Sequence, residues 1–332
     1  MNKVKNSQVT QENYCSITSG IFKFLPKTKL PFCLYRMNPS TGSFKPATTE
    51  GKTIISSEKQ AIYDDCEKGL IFIKSTSISD CKPYFASNLE TVISDISDSI
   101  SDEDLAPIII EGLKESSNKI FTDSIKNNFK SFHTLLTATG ELVHSNPDII
   151  WHMLPLLDKS HSLTNKSISN GIIGAGVCLH GREGRPDLDS FLESLIALFL
   201  CDIGMCSLPD FVLGKEFSLS VDEQKRIRTH PVNSVEVLSL TQSMTKTSLR
   251  AILEHHERLD GSGYPRGVTN DQISWLGKLC GAVDSFVAMT MERPGKKSMT
   301  TVNALKMLYK ESTLYDPNII YALEKVTYRE EC

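Results

Sequence analysis

The order of hydrophobic and polar residues predicts a small mixed region followed by a long helical one. Between residues 21 and 75, short apolar stretches at 30–35 and 69–73 alternate with turn formers, including those at 38–42. Short apolar runs bounded by Pro, Gly, Asn and Ser are typical of strands joined by turns. We therefore predict a small α+β domain at the start of the chain.

A helical period begins near residue 89. Leu89, Ile93, Ile96 and Ile100 recur at steps of four, three and four residues, and Ser and Asp fill the other faces. This spacing predicts one amphipathic helix from Leu89 to Leu105. Its narrow apolar stripe fits packing within the chain or contact with a second copy in a homodimer, and both interpretations remain open.

The remainder of the chain is predicted to be mainly helical. Ser220 and Glu223 have the spacing of a capping box at the start of one of these helices. Helical or strongly apolar patterning covers the segments 108–143, 149–157, 189–200, 249–257 and 275–291. We place the domain boundary near residue 140, which gives an accessory domain over residues 1–140 and a mainly α, bundle-like domain over residues 141–332.

Composition and charge narrow the classes of function. The formal net charge of -4 gives no general attraction to nucleic-acid backbones, so DNA is not an expected partner. The nine cysteines are scattered without CxxC pairs, as in the reduced thiols of a cytoplasmic protein. The longest apolar run, 195–201, is far shorter than the roughly 20 residues of a membrane span. We therefore expect a cytoplasmic protein without a membrane partner.

Five titratable residues fall where the helices otherwise look buried. They are Asp202, His230, His255, His256 and Asp284. Burying unpaired carboxylates is costly, and a cation removes that cost. Two adjacent imidazoles cannot both face an apolar core, but both can bind a metal ion held between helices. Because the set has no thiolate spacing, it suits iron, manganese or zinc in a catalytic role more than a structural zinc site. The alternative is a set of buried polar groups satisfied by hydrogen bonds.

The run HHERLDGSGYP, residues 255–265, resembles the signature of the HD-GYP family of metal-dependent phosphohydrolases. Further matches follow the family order over roughly residues 145–325; they are Asp202-Ile203-Gly204, Leu208-Pro209-Asp210, Arg228-Thr229-His230-Pro231, Ala282-Val283-Asp284, Ala288-Met289-Thr290 and Arg293-Pro294. The resemblance implies a helical bundle with two or three metal ions, usually iron or manganese. It also implies hydrolysis of cyclic di-GMP or cyclic GMP-AMP to the linear dinucleotide.

The resemblance further implies roles for the metal-ligating residues. Asp202 would bridge two metal ions, and Asp284 would help to hold the second. The three histidines His230, His255 and His256 would hold the first ion. The residues that the resemblance assigns to catalysis are Asp202, His255 and Asp284. Two neighbouring metal ions can generate hydroxide from water and neutralise phosphoryl oxygens during in-line attack.

The glycine-rich turn would border the substrate pocket in such a protein. Gly263, Tyr264 and Pro265 form its centre, where Tyr264 would contact a guanine and the glycine would let the backbone approach. Arg266 and Arg293 are candidate contacts to phosphate or base by their position. For each arginine the alternative is an ordinary surface charge, or for Arg293 a structural role beside Pro294.

Three departures from the family pattern fall on one side of this site. Cys201 stands where the family has the histidine of its His-Asp pair, and Met205 replaces a frequent lysine. The segment 166–170, where a further family histidine is expected, reads Lys-Ser-Ile-Ser-Asn. Cys201 is either a thiolate ligand or an inert buried thiol. The departures leave open whether the site holds one metal ion or two.

These observations support two main hypotheses. The first is a metal-dependent cyclic-dinucleotide phosphodiesterase, impaired by the loss of the family histidine. The second is a catalytically degenerate domain that serves as a cyclic-dinucleotide receptor or as a scaffold for signalling proteins such as diguanylate cyclases. A general HD phosphohydrolase acting on nucleotides is a weaker third hypothesis, because the extended turn motif resembles the cyclic-dinucleotide branch. Replacing Cys201 with histidine would separate an eroded site from one retuned around the cysteine.

Overall fold

A computed structural model describes most of the chain. It covers residues 14–25, 30–77, 80, 89–96, 100–122, 125–181, 184–208, 220–292 and 297–328. The described chain divides into two compact units, Met1–Gly112 and Leu113–Cys332. The domain boundary near residue 140 stays a prediction, because compactness alone does not show which segment folds independently.

The first unit contains a four-stranded antiparallel sheet with the strand order β1-β4-β2-β3. Its elements are β1 (Tyr14–Ser16), α1 (Ser19–Phe24), β2 (Leu34–Met37), β3 (Phe44–Pro46), α2 (Ser56–Glu67) and β4 (Ile71–Lys74). In the register of the central strands, Leu34 pairs with Ile73 and Tyr35 pairs with Phe72. Leu34 and Ile73 are buried, and α2 packs on β4. The predicted turn at 38–42 joins β2 to β3.

Opposite Leu34 and Ile73, the sheet carries a cluster of aromatic side chains. The rings of Tyr14 and Phe44 stack with centroids 4.0 Å apart, and Tyr35 and Phe72 contact them edge-on. Because successive side chains of a strand point to opposite faces of the sheet, the aromatic side chains lie on one face and the aliphatic side chains on the other. The prediction of a small α+β region at the start of the chain is confirmed.

The prediction of one helix from Leu89 to Leu105 is wrong. The chain forms α3 (Leu89–Ile96) and then α4 (Asp102–Thr122), with Ile100 and Ser101 outside both helices. The Ser101 hydroxyl accepts a hydrogen bond from the backbone N–H of Asp104 at 3.2 Å, so it caps a new helix start. α3 packs against α1, which bears out packing within the chain, and the homodimer stays a prediction.

The second unit is helical in its described residues, so the prediction of a mainly α domain is confirmed. After the end of α4, its helices are α5 (Ile125–Ser145), α6 (Ile149–Met153), α7 (Leu163–His180), α8 (Leu188–Leu200), α9 (Val221–Ile227), α10 (His230–Ser239), α11 (Lys246–Glu254), α12 (Trp275–Thr290), α13 (Thr301–Lys310) and α14 (Pro317–Thr327). Short 3₁₀ turns cover Leu154–Leu156, Ile203–Ser207 and Asn270–Gln272. The predicted capping box of Ser220 and Glu223 begins α9.

The core of the second unit lies among α7, α8, α11 and α12. α7 packs against α8, α12 and α14, and α11 packs against α8, α10 and α12. The middle of α7 and the end of α8 are buried all round, as expected for helices inside a bundle. Polar residues that face this core therefore come close to one another from several helices.

One apolar segment of the described chain passes a simple test for a membrane span. Leu188–Ser207, which contains α8, is long and apolar enough by length and composition. However, 67% of its most apolar window is buried inside the protein, as in an ordinary core helix. A single buried helix of this kind is weak evidence for a span, and the absence of a membrane partner stays a prediction.

Candidate metal centre

The ends of three helices bring four of the predicted ligands together. Asp202 follows α8, His230 is the first residue of α10, and His255 and His256 follow α11. One ligand atom from each of the four lies within 4.8 Å of each of the others. Asp284, in the middle of α12, lies in an adjoining group with Cys201 and Asp202. The predicted convergence of separate helices on one site is therefore what the structure shows.

The hydrogen bonds of His230 and His255 fix the state of their rings. Nδ1 of His230 contacts the carbonyl oxygen of Ile227 at 2.7 Å, and Nδ1 of His255 contacts that of Ile252 at 2.6 Å. A carbonyl oxygen can only accept, so each Nδ1 carries a proton. The two Nε2 atoms are 3.1 Å apart and face each other. If both Nε2 atoms carry lone pairs, a cation between them, a metal ion or an added proton, removes their repulsion.

The Asp202 carboxylate completes this group. Its Oδ1 lies 3.2 Å from Nε2 of His230 and 3.8 Å from Nε2 of His255. Burial opposes ionisation of Asp202, but the ammonium of Lys166 helps to hold its pKa well below the ordinary value. Asp202 is thus an ionised carboxylate beside two imidazoles, which is a donor set suited to a divalent metal.

His256 adds a third imidazole to the group. Burial, followed by the neighbouring rings of His255 and His230, lowers its pKa well below the ordinary value, so the ring is neutral at neutral pH. A neutral imidazole is the form that binds metals. On its other side the ring stacks on Tyr264, with centroids 4.7 Å apart. His256 therefore links the ligand group to the glycine-rich turn.

The second ligand group has a lysine beside it. Nζ of Lys166, on α7, lies 2.6 Å from Oδ2 of Asp202 and 2.8 Å from Oδ1 of Asp284. The Lys166 side chain is only 15% exposed. Burial would lower the pKa of Lys166, but the charges of Asp202 and Asp284 outweigh burial and raise it. The site therefore holds a buried ammonium between two carboxylates.

Cys201 forms hydrogen bonds in this second group. Its Sγ donates to the carbonyl oxygen of Leu198 at 3.5 Å and lies 3.6 Å from Nδ2 of Asn170. Burial, together with the charges of Asp202 and Asp284, raises the pKa of the Cys201 thiol well above its ordinary value. A protonated, hydrogen-bonded thiol is a poor metal ligand, which supports the interpretation of Cys201 as an inert buried thiol.

Glu257 holds the glycine-rich turn in place. Its carboxylate accepts hydrogen bonds from the backbone N–H groups of Arg266 at 2.7 Å and Val268 at 3.2 Å. The N–H of Tyr264 donates to the carbonyl oxygen of His256 at 3.1 Å. A Cβ at Gly263 would collide with the backbone of residues 256–258, so the turn requires glycine there.

The structure places the predicted substrate contacts in different surroundings. Tyr264 is half-buried between two contacts, since the guanidinium of Arg228 lies 5.3 Å from its ring centroid and His256 stacks on it. Pro265 is exposed on the turn. The guanidinium of Arg266 pairs with Oε1 of Glu254 at 2.6 Å. Arg293, with the motif residues Pro209, Asp210 and Pro294, lies outside the described residues.

A buried serine connects Asp202 to α10. Ser234 donates a hydrogen bond to the carbonyl oxygen of Cys201 at 2.8 Å and accepts one from the N–H of Gly204 at 2.8 Å. A Cβ at Gly204 would meet backbone atoms of His230 and Ser234. The close approach of the 3₁₀ turn Ile203–Ser207 to α10 therefore sets the spacing between Asp202 and His230.

Substitution of Gly204 by alanine should disturb this spacing. We expect Gly204→Ala to lower the free energy of unfolding of the second unit by about 1–3 kcal/mol, since backbone must move to accept the methyl group. The two tryptophans, Trp151 and Trp275, both lie in this unit, so their fluorescence during urea unfolding reports on it. The control is Ser239→Ala on the exposed end of α10, expected within about 0.5 kcal/mol of the parent. Equal free energies of unfolding for Gly204→Ala and Ser239→Ala would contradict the close approach of the 3₁₀ turn to α10.

Glu254 is a second carboxylate that organises the turn. It is fully buried and accepts hydrogen bonds from Nε of Arg250 at 2.9 Å and from the backbone N–H of Ser274 at 2.8 Å, in addition to pairing with Arg266. Burial would raise the pKa of Glu254, but these partners outweigh burial and lower it. Glu254 thereby ties the end of α11 to the start of α12.

The lowered pKa of Glu254 predicts a pH-dependent contribution to stability. Its contribution is complete above the ordinary pKa of 4.5 and is lost as the pH falls through the lower folded-state pKa. We expect Glu254→Gln to cost about 1.5–3 kcal/mol at pH 7, and the difference from the parent to shrink below pH 4.5. Urea unfolding at several pH values, followed by tryptophan fluorescence, measures this. Exposed Glu236→Gln is the control, and a Glu254→Gln cost that stays constant down to pH 3 would refute the prediction.

Several residues of this site escaped the sequence prediction. Lys166 and Asn170 were noted only as the place where a family histidine is missing, and Glu254, Glu257 and Ser234 were given no role. The available signal was the spacing of Lys166 and Asn170, four residues apart and thus on one face of a helix whose later turns are mainly apolar. A cation on such a face is compatible with buried carboxylate partners as well as with exposure to solvent.

Comparison with known proteins agrees with this geometry. A family model described as HD domain matches residues 181–319. This segment is similar to an HD domain. It contains every predicted metal ligand, and the predicted resemblance to HD-GYP proteins is confirmed for it.

The sequence relatives of the chain include named phosphodiesterases. The chain is 33% identical over 133 residues to cyclic di-GMP phosphodiesterase PA4108 of Pseudomonas aeruginosa. The aligned segment covers 40% of this chain and 32% of that protein. It is 35% identical over 130 residues to 3'3'-cGAMP-specific phosphodiesterase 3 of Vibrio cholerae. That alignment covers 39% of this chain and 28% of the relative. The chain thus spans about a third of the length of these relatives.

A solved structure shares the fold. Bd1817, an HDG"Y"P protein from Bdellovibrio bacteriovorus, superposes with a TM-score of 0.62 over 95% of this chain and 99% of that chain. Its sequence identity is 14%, so the likeness concerns the fold.

Proposed function

We propose that the HD domain hydrolyses a phosphodiester bond of a cyclic dinucleotide, cyclic di-GMP or 3'3'-cyclic GMP-AMP, with the help of iron or manganese. The observation that carries the proposal is the pair of Nε2 atoms of His230 and His255, which face each other at 3.1 Å beside the ionised Asp202. Such an arrangement is unfavourable without a cation. The names of the sequence relatives supply the substrate class.

The metal-binding group would consist of Asp202, His230, His255 and His256. A divalent metal bound there would polarise a phosphoryl oxygen and lower the pKa of a coordinated water. The rings of His230 and His255 are already oriented by their Nδ1 hydrogen bonds, so little reorganisation is needed on binding. The Lys166 ammonium, held by Asp202 and Asp284, would add positive charge opposite the phosphate.

The glycine-rich turn would receive the nucleotide. Tyr264 presents an aromatic ring next to His256, and aromatic rings stack on nucleobases. The pairing of Arg266 with Glu254 supports a role in holding the turn, while its phosphate contact remains a proposal alongside that of Arg293. Gly263 lets the backbone of the turn lie against residues 256–258, close to the ligand group.

A second candidate function is a receptor that binds the cyclic dinucleotide without cleaving it. The observation that favours it is the Lys166 ammonium between Asp202 and Asp284, because a lysine carries half the charge of a divalent metal and generates no hydroxide. Cytoplasmic location, a homodimer, and partners such as diguanylate cyclases remain proposals that fit either function. The net charge of -4 supports the expectation that DNA is not a partner.

Hydrolysis and binding assays on the same protein separate these functions. The full chain, purified anaerobically and loaded with Fe²⁺ or Mn²⁺, is incubated with cyclic di-GMP and with 3'3'-cyclic GMP-AMP, and the linear dinucleotide is quantified. Asp202→Ala is the blank. Product above the blank supports the phosphodiesterase, and the faster substrate gives its specificity. Tight binding without product would assign the receptor function, and absence of both would reject the proposal.

A further inference from the structure

Lys166 lies at the point where two buried carboxylates meet. Its Nζ contacts Oδ2 of Asp202 at 2.6 Å and Oδ1 of Asp284 at 2.8 Å, and its side chain is 15% exposed. Lys166 belongs to α7, which packs against both α8, which Asp202 follows, and α12, which carries Asp284. The ammonium is therefore fixed between the carboxylates by the packing of the bundle.

The two oxygens of Asp202 have different partners. Oδ1 faces Nε2 of His230 and Nε2 of His255, whereas Oδ2 faces the ammonium of Lys166. A carboxylate that bridges two metal ions divides its oxygens between two cations in the same way. On the histidine side the partners are metal-binding atoms, and on the other side the cation is already present.

We propose that the ammonium of Lys166 takes the position of a second metal ion, so that the centre binds one metal ion in the group of Asp202 and the three histidines. This inference rests on the proposed function, because it specifies the metal content of the same site. A second divalent ion would need the oxygens of Asp202 and Asp284 that Lys166 contacts. An ion bound to both of these oxygens would occupy the position that the ammonium holds between them, so Lys166 would have to leave first.

The neighbouring side chains complete the arrangement around this ammonium. Nδ2 of Asn170 donates to Oδ1 of Asp284 at 3.0 Å and lies 3.6 Å from Sγ of Cys201. Sγ of Cys201 donates to Leu198 instead of facing a metal ion. The carboxylate of Asp284 thus has both an ammonium and an amide as donors, and its buried charge is balanced without a second metal ion.

An ammonium at this position has a defined role toward the substrate. A lysine carries three N–H donors, and Nζ of Lys166 forms ion pairs with the carboxylates of Asp202 and Asp284. One of its N–H groups can donate to a phosphoryl oxygen of the dinucleotide. Lys166 thereby neutralises one charge of the phosphate and cannot activate water, so we expect the nucleophile to be prepared on the histidine side of the centre.

Counting bound manganese tests this inference without relying on activity. The metal-free full chain is titrated with Mn²⁺, free Mn²⁺ is followed by its electron paramagnetic resonance signal, and bound metal is counted by elemental analysis after desalting. We expect the parent protein to bind one Mn²⁺ per chain with the spectrum of an isolated ion. Cys201→His alone should still bind one, because Lys166 remains. The double variant Lys166→His with Cys201→His should bind two, with a spectrum broadened by coupling between neighbouring ions.

A matched control carries the same number of added imidazoles. Lys246 is exposed at the start of α11, so Lys246→His with Cys201→His should bind one Mn²⁺. Two ions in the parent protein would overturn the inference and leave the proposed function intact. No ion in the parent would overturn both. A folded Lys166→His, Cys201→His variant that binds only one ion would also overturn it. If that variant fails to fold, as judged by tryptophan fluorescence, the count and spectrum of the parent still decide.

Discussion

Replacement of Lys166 by methionine should lower the free energy of unfolding of the second unit by about 3–5 kcal/mol in metal-free protein. The change keeps most of the side-chain volume but leaves the carboxylates of Asp202 and Asp284 buried without their shared cation. Removing one partner of a buried ion pair exposes the full cost of burying the other charge. Urea unfolding followed by the fluorescence of Trp151 and Trp275 measures the effect on this unit.

Two comparisons distinguish this explanation from a loss of packing. Exposed Lys246→Met should change the stability by no more than about 0.5 kcal/mol. Added Mn²⁺ should restore part of the stability of Lys166→Met, because the vacated carboxylates become available to a metal ion. A cost below about 1 kcal/mol for Lys166→Met would show that the ammonium behaves as a surface charge, in conflict with its burial.

Asparagine at position 202 should weaken metal binding more than any other single substitution in the site. Asp202 contributes an ionised oxygen to the histidine group and a second oxygen to Lys166, and its amide replacement keeps the shape while removing the charge. We expect the dissociation constant for Mn²⁺ to rise by at least about tenfold. Any hydrolysis of a cyclic dinucleotide should fall by about 10²–10³-fold or more.

The matched control for this prediction is Asp222→Asn, an exposed aspartate on α9. It should bind Mn²⁺ as the parent does. Metal binding is measured by isothermal titration, and the hydrolysis rate is measured at saturating metal so that the two effects separate. An Asp202→Asn protein with the affinity of the parent would remove Asp202 from the metal-binding group.

The ligand group could be predicted from the sequence because it depends on residue types at recognisable spacing. Adjacent histidines before a glycine-rich turn, and an aspartate after an apolar helix, carry chemistry that an ordinary core does not need. The structure brings Asp202, His230, His255 and His256 together as expected. Their roles as ligands and catalysts stay predictions until the metal is measured.

The position of Lys166 could not be predicted in the same way. A lysine on an apolar helix is equally compatible with a long side chain that extends to solvent. Its partners Asp202 and Asp284 lie 36 and 118 residues further along the chain. Only the packing of α7 against α8 and α12 brings the three charges together, and no local pattern records that packing.

The prediction of one helix from Leu89 to Leu105 failed for a different reason. The apolar period from Leu89 to Ile100 fits one helix, but the side chain of Ser101 accepts a hydrogen bond from the backbone N–H of Asp104. A local capping interaction of this kind competes with helix continuation and does not alter the hydrophobic period. Periodicity therefore predicted a helix over Leu89–Ile96 correctly and placed its end wrongly.

The ammonium between Asp202 and Asp284 is part of the polypeptide, so it can be neither chelated, exchanged nor oxidised. When metal is scarce, the histidine group would empty, but the junction of α7, α8 and α12 would keep its charge balance. Charge balance at this junction is thereby separated from metal supply. Protein made while the proposed metal is scarce would keep this junction and could bind the ion as soon as the supply returned.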